Sequence, residues 1–194
     1  MKRIVFVISH IGANAETFVT HILNENPRID ILTTGLVYKH PTDIDSIAYG
    51  PHKLNNSAAI YGDLLLHNTN FSCPNLYPVC KFIYIIREAG DALNEDTFYP
   101  RKYKEAYYRF RLRRLFEMAR NTPGAVLLTW DDMRSGKGNP LIEDYLSLKE
   151  PLITNPELFK KSTKEQVPAQ VVEHCQDTYE KYLFKMRSLG LRKV

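Results

Sequence analysis

Two side chains in this sequence close apolar runs with groups able to move a proton or hold an anion. His67 ends Gly62-Asp63-Leu64-Leu65-Leu66-His67, and Arg87 ends Lys81-Phe82-Ile83-Tyr84-Ile85-Ile86-Arg87. An imidazole titrates near ~6.5, so it can act as a general base close to neutrality. A guanidinium stays charged and grips a phosphate with two parallel hydrogen bonds, which an ammonium does not do. The third piece of chemistry is the opening of the chain. Ile4 to Ile8 is apolar and mostly β-branched, and the polar turn Ser9-His10-Ile11-Gly12-Ala13-Asn14 follows it. From Ala13 the spacing becomes helical, with Thr17 on the first turns and Phe18, Val19, Ile22 and Leu23 on one face. Strand, turn and helix in this order aim free backbone N–H groups and a positive helix end at one point, a seat for phosphate or sulfate. Gly12 lets the backbone approach a ligand closely, and Asn14 and Thr17 add side-chain donors.

These groups need elements to hold them. Ile4–Ile8, Lys81–Arg87 and Ala125–Trp130 read as buried strands, and Ile29–Thr34 and Gly62–His67 as further ones. Residues 35–61 show no sustained period and read as connections. Helices are expected over Ala89–Asn94, Tyr103–Arg120, Pro140–Leu148 and Pro168–Ser188, with Thr122-Pro123-Gly124 stopping the second. Strands alternating with helices predict an α/β fold, three layers deep, with a central parallel sheet. Ligands of such sheets gather at the carboxyl ends of the strands, where Ser9, His10, His67, Arg87, Asp131 and Asp132 all fall.

The 194 residues suit a single domain spanning 1–194, with 44% apolar and 25% charged residues. No apolar run nears the ~18 residues that span a bilayer, and the run before Ser9 is too short for an export signal. Three cysteines (Cys73, Cys80, Cys175) without metal spacing fit a reducing, cytoplasmic setting. The net charge of +4 is uneven: Arg101 to Arg120 holds eight Lys/Arg against two acids. Within it Arg109 and Arg113, one turn apart, could meet an anionic acceptor or simply form a solvated face.

Taken together, Ile4–Leu23, His67 and Lys81–Leu93 resemble the sulfotransferases that use 3′-phosphoadenosine 5′-phosphosulfate (PAPS). Ser9-His10-Ile11-Gly12-Ala13-Asn14 is similar to the loop that holds the 5′-phosphosulfate there, with His10 in the place of a lysine. Ile86-Arg87-Glu88-Ala89-Gly90-Asp91 resembles the R-x-P-x-D-type motif whose arginine binds the 3′-phosphate, and Glu95 stands where the family has a serine. His67, twenty residues before Arg87, matches the catalytic histidine of cytosolic members. Val126–Met133 and Val167–Leu191 are similar to the later strand with its acidic pair and to the closing helix. The resemblance implies a P-loop-NTPase-like sulfotransferase fold and in-line transfer of a sulfuryl group from PAPS to a hydroxyl or amine. His67 would be the general base, and His10 would donate to the leaving oxygen. Ser9, Gly12, Ala13, Asn14, Thr17 and Arg87 would hold the cofactor, with no metal. The acceptor would be a small molecule, glycan or peptide, anionic if Arg109 and Arg113 meet it.

Two rival readings stay open. A catalytically impaired relative binding an anionic partner is favoured by Glu95 and the missing lysine. A P-loop nucleotide kinase would share the layout, but no Gly-Lys follows Gly12 before the helix. Neither nucleic acid nor membrane is an expected partner, since no recognised nucleic-acid module or spanning run is present.

Overall fold

The computed structural model describes residues 4–9, 15–23, 26, 29–31, 57–61, 80–94, 104–159 and 167–194. Among them six strands form one sheet in the order β2-β3-β1-β4-β5-β6, and every pairing is parallel. The strands are β1 (Ile4–Ser9), β2 (Ile29–Ile31), β3 (Ser57–Tyr61), β4 (Cys80–Ile86), β5 (Val126–Thr129) and β6 (Arg192–Lys193). The helices are α1 (Ala15–Phe18), α2 (Ala89–Asn94), α3 (Lys104–Arg120), α4 (Trp130–Arg134), α5 (Asn139–Leu146) and α6 (Ala169–Arg187). Val19–Leu23 continues α1 as a π-helical turn, and Pro156–Leu158 is a single 3₁₀ turn.

The strand side chains alternate between two cores, as the pleat requires. Phe6, Ile8, Phe82, Tyr84, Ile86 and Leu127 pack with α2, α3 and α6 on one face. Val5, Val7, Ile83, Ile85, Val126 and Leu128 pack on the other with Phe18 through Leu23, α4 and α5. A sheet covered on both faces needs near-continuous apolar strands, which explains why β1 and β4 stand out in the sequence. Phe6 and Phe82, opposite each other in register, stack with ring centroids 5.4 Å apart.

Three expectations change. Ser57–Tyr61, within a stretch read as connection, is β3 and pairs with β1 from Ile4↔Ala58 to Val7↔Tyr61. Serine and two alanines carry little strand propensity; position between β2 and β1 makes this segment a strand. Trp130, read as the end of a strand, instead opens α4. Thr129 accepts from the Asp132 N–H, and the Asp132 carboxylate accepts from the Thr129 N–H and hydroxyl, a capping box that turns strand into helix. The two-residue β6 adds an edge strand beyond β5 where none was expected. The expected strand Gly62–His67 lies outside the described residues.

Gly138 seats α5 against the sheet, since a Cβ there would come 2.8 Å from Leu128 Cδ2.

Candidate functional site: a crevice at the carboxyl ends of β1 and β4

Neighbouring strands β1 and β4 send their helices to opposite faces. Phe18, Val19, Ile22 and Leu23, which follow β1, lie in the core with Val5 and Val7. Ala89, Ala92 and Leu93, which follow β4, lie in the core with Phe6 and Ile8. Diverging connections make the carboxyl ends of the two strands a topological switch point, the place where open α/β sheets bind ligands.

Two buried guanidiniums serve this crevice. Ser9, the last residue of β1, is in register with Ile85, so Arg87 stands just beyond the end of the adjacent strand. Arg87 is 1% exposed, and its guanidinium carbon lies 3.8 Å from the centre of the Trp130 ring. Its carbonyl accepts a 2.8 Å hydrogen bond from the Tyr108 hydroxyl on α3. Burial, and after it the neighbouring Tyr179, push the Tyr108 phenol well up, so it stays a protonated donor. The second guanidinium is Arg111 on α3, 2% exposed. It donates to the Ser9 carbonyl at 2.8 Å and to the Tyr107 hydroxyl at 2.8 Å. A permanently charged side chain is thus fixed at the end of each strand flanking the crevice.

Trp130 ties these elements together. It leaves β5 through the capping box, and Arg134, one turn later, lies 5.5 Å from the same ring. Phe159 meets it edge-on at 6.5 Å. A desolvated cation over tryptophan is worth about 2 kcal/mol, enough to hold Arg87 in one orientation.

Of the residues singled out in the sequence, Ser9 ends β1 beside the strand that leads into Arg87, and Thr17 is half-buried on α1. His10, Gly12, Ala13, Asn14 and His67 lie outside the described residues, as does Glu95. Arg109 and Arg113 point away into solvent, each one turn from an acid: Arg109 to Glu105 at 3.5 Å and Arg113 to Glu117 at 3.0 Å. Such exposed pairs contribute a few tenths of a kcal/mol. Asp132 is used by the capping box, whereas Asp131 faces a neighbouring cleft.

Sequence reasoning missed Arg111 and Trp130 as parts of the site. Arg111 had a visible signal: Lys104, Tyr108, Arg111, Leu112 and Leu115 share the buried stripe of α3, and an arginine on such a stripe needs a partner inside. Trp130 had one in the Thr129-x-x-Asp132 capping pattern.

The chain matches no protein-family model and no curated protein sequence. Among the described residues no helix is long and apolar enough to cross a membrane, and no group of three or more His, Cys, Asp or Glu is placed to hold a metal ion.

Proposed function

We propose that the chain is a cytoplasmic PAPS-dependent sulfotransferase of the P-loop-like kind, moving a sulfuryl group to a hydroxyl or amine acceptor. The observation that carries this reading is the pair of buried guanidiniums, Arg87 and Arg111, at the ends of adjacent strands β4 and β1. Bound in the crevice, PAPS would supply the sulfuryl group and leave as adenosine 3′,5′-bisphosphate.

In this reading the anion approaches Arg87 from one side only. On the β1 side lie Arg111, the Ser9 end of β1 and the entry to α1. On the α6 side Glu88, Asp91, Asp131 and Glu180 line a cleft whose carboxylates repel a phosphate. The 3′-phosphate would therefore meet Arg87 from the β1 side, with Thr17 and the Ser9–Asn14 segment around the 5′ end. His67 would take the acceptor's proton as the acceptor oxygen or nitrogen bonds to sulfur, and His10 would donate to the departing oxygen. No metal enters this scheme. Arg109 and Arg113, already matched by Glu105 and Glu117, give little support to an anionic acceptor or to a purely anion-binding relative.

The test is release of adenosine 3′,5′-bisphosphate from PAPS by the full chain, across hydroxyl and amine acceptors. Losing a general base costs roughly 10²- to 10⁴-fold in rate, so His67→Ala should lose at least that lower figure while still binding the bisphosphate. Turnover unchanged in His67→Ala removes the histidine from the mechanism.

A further inference from the structure

The carboxyl end of α6 differs in charge from the rest of that helix. Its acids, Glu173, Asp177 and Glu180, all come before Lys181. From Lys181 to Val194 the chain holds five Lys/Arg and no Asp or Glu. The helix dipole favours cations in a last turn, but it does not account for those that gather there from other elements. The guanidinium carbon of Arg120, the last residue of α3, lies 5.9 Å from the centre of the Phe116 ring. The Lys185 ammonium lies 5.7 Å from the same ring and 5.5 Å from that of Tyr182. Lys193, beyond the helix, donates to the Arg187 carbonyl at 3.1 Å. Lys181 is exposed one turn before Lys185.

These charges are not matched within the fold. Among the described residues no carboxylate forms an ion pair with Arg120, Lys181, Lys185 or Lys193, whereas Arg109, Arg113, Arg114 and Arg192 each have one. Glu117, the acid one turn before Arg120, is already held by Arg113 and Arg114. A second feature stands among the cations: Phe184, 74% exposed, lies one turn after Lys181 and next to Lys185. A single exposed apolar side chain is ordinary by itself. An aromatic ring projecting from a field of unmatched cations is the combination that holds a helix at an anionic lipid surface. There the headgroup phosphates meet the cations while the ring enters the acyl boundary.

We propose that the carboxyl end of α6, with Arg120 and Lys193 beside it, docks on a membrane surface rich in anionic phospholipid. The expectation of no membrane partner rested on the lack of a spanning run, and surface attachment needs none. A single-stranded nucleic acid fits less well, because it needs free aromatic faces on which to stack its bases. The Phe116 and Tyr182 rings pack on each other and carry Arg120 and Lys185 instead. The position of the patch also leaves the proposed cofactor site accessible. α3 leads into the start of β5, and α6 leads into β6, whose Arg192 pairs with Val126, the first residue of β5. The patch therefore lies towards the amino ends of the strands, away from the carboxyl ends of β1 and β4. It stands whether or not PAPS is the cofactor.

Co-sedimentation of the full chain with vesicles of phosphatidylcholine and phosphatidylserine, against vesicles of phosphatidylcholine alone, tests it. Binding is expected only where phosphatidylserine is present, and it should weaken as salt screens the cations. Lys185→Gln should lower the affinity roughly fivefold, the share of one cation near an anionic surface, and Lys181→Gln with Lys185→Gln roughly 25-fold. Phe184→Ala should lower it roughly tenfold, by removing the inserted ring. All three side chains are exposed, so the variants should keep the circular dichroism spectrum and unfolding temperature of the unaltered chain. No binding to the phosphatidylserine vesicles, equal binding to phosphatidylcholine alone, or Phe184→Ala binding as tightly as the unaltered chain would each overturn the assignment. So would tighter binding of a single-stranded oligonucleotide than of the vesicles.

Discussion

The Arg87 guanidinium lies 3.8 Å from the centre of the Trp130 ring, and Trp130 is the single tryptophan of the chain. The strand end β4 and the helix start after β5 are therefore joined by one contact that also reports on itself through indole fluorescence.

Replacing that ring should be costly. Trp130 is 2% exposed and meets Phe159 edge-on besides carrying Arg87. Trp130→Ala should lower unfolding stability by about 3–5 kcal/mol, the usual cost of deleting a buried aromatic. Trp130→Phe, which keeps a ring under the guanidinium, should lose clearly less. Urea unfolding followed by circular dichroism measures both, and equal losses would show that Arg87 does not depend on the aromatic face.

Arg111 makes the corresponding link at β1. Its bond to the Ser9 carbonyl joins α3 to a strand end 102 residues away in sequence. Arg111→Met keeps much of the side-chain volume but leaves that buried carbonyl without this donor. Stability should fall by about 1–3 kcal/mol. Because the bond is buried, the loss should hardly change between low and high salt, whereas Arg113→Ala on the solvated face should have a small, salt-sensitive effect. A salt-sensitive loss for Arg111→Met would place its charge at the surface instead.

How much of this was legible beforehand depends on where the physics is local. β1 and β4 are unbroken apolar runs, and α3 and α6 carry helical periodicity strong enough to set their ends to within a residue or two. β3 carries no such signal: Ser57-Ala58-Ala59 becomes a strand because β2 and β1 flank it, a relation between distant segments. Arg87 was readable as a charged side chain ending a strand. What it rests on was not, because Trp130 reaches it only after the capping box bends the chain out of β5. Arg111 was counted among the basic residues of its helix when its place on the apolar stripe set it apart.

Cys175 gives a pH dependence with a definite sign. The thiol is buried on the core face of α6, and burial, with Glu105 adding to it, raises it from 9.0 to about 11. A group raised on folding adds stability that is fully present below its unfolded value and is lost as pH rises towards the folded one. Stability should therefore decline as pH climbs from about 9 to 11, and Cys175→Ala should flatten that part of the profile. Peptide-resolved alkylation at pH 8 should find Cys175 protected until the chain unfolds. Rapid native labelling would contradict the burial assigned to it.

The central claim is that the crevice between β1 and β4 accepts the anionic nucleotide of a sulfuryl donor. Thermal unfolding of the full chain with adenosine 3′,5′-bisphosphate, beside the same scan with ATP·Mg, addresses it directly. Ligand at ~100 times its dissociation constant adds about 2.7 kcal/mol, or roughly 5–10 °C for a chain of this size. The account predicts that rise for the bisphosphate, with a change in Trp130 fluorescence and no response to ATP·Mg. A rise with ATP·Mg alone, or with neither nucleotide, would contradict it.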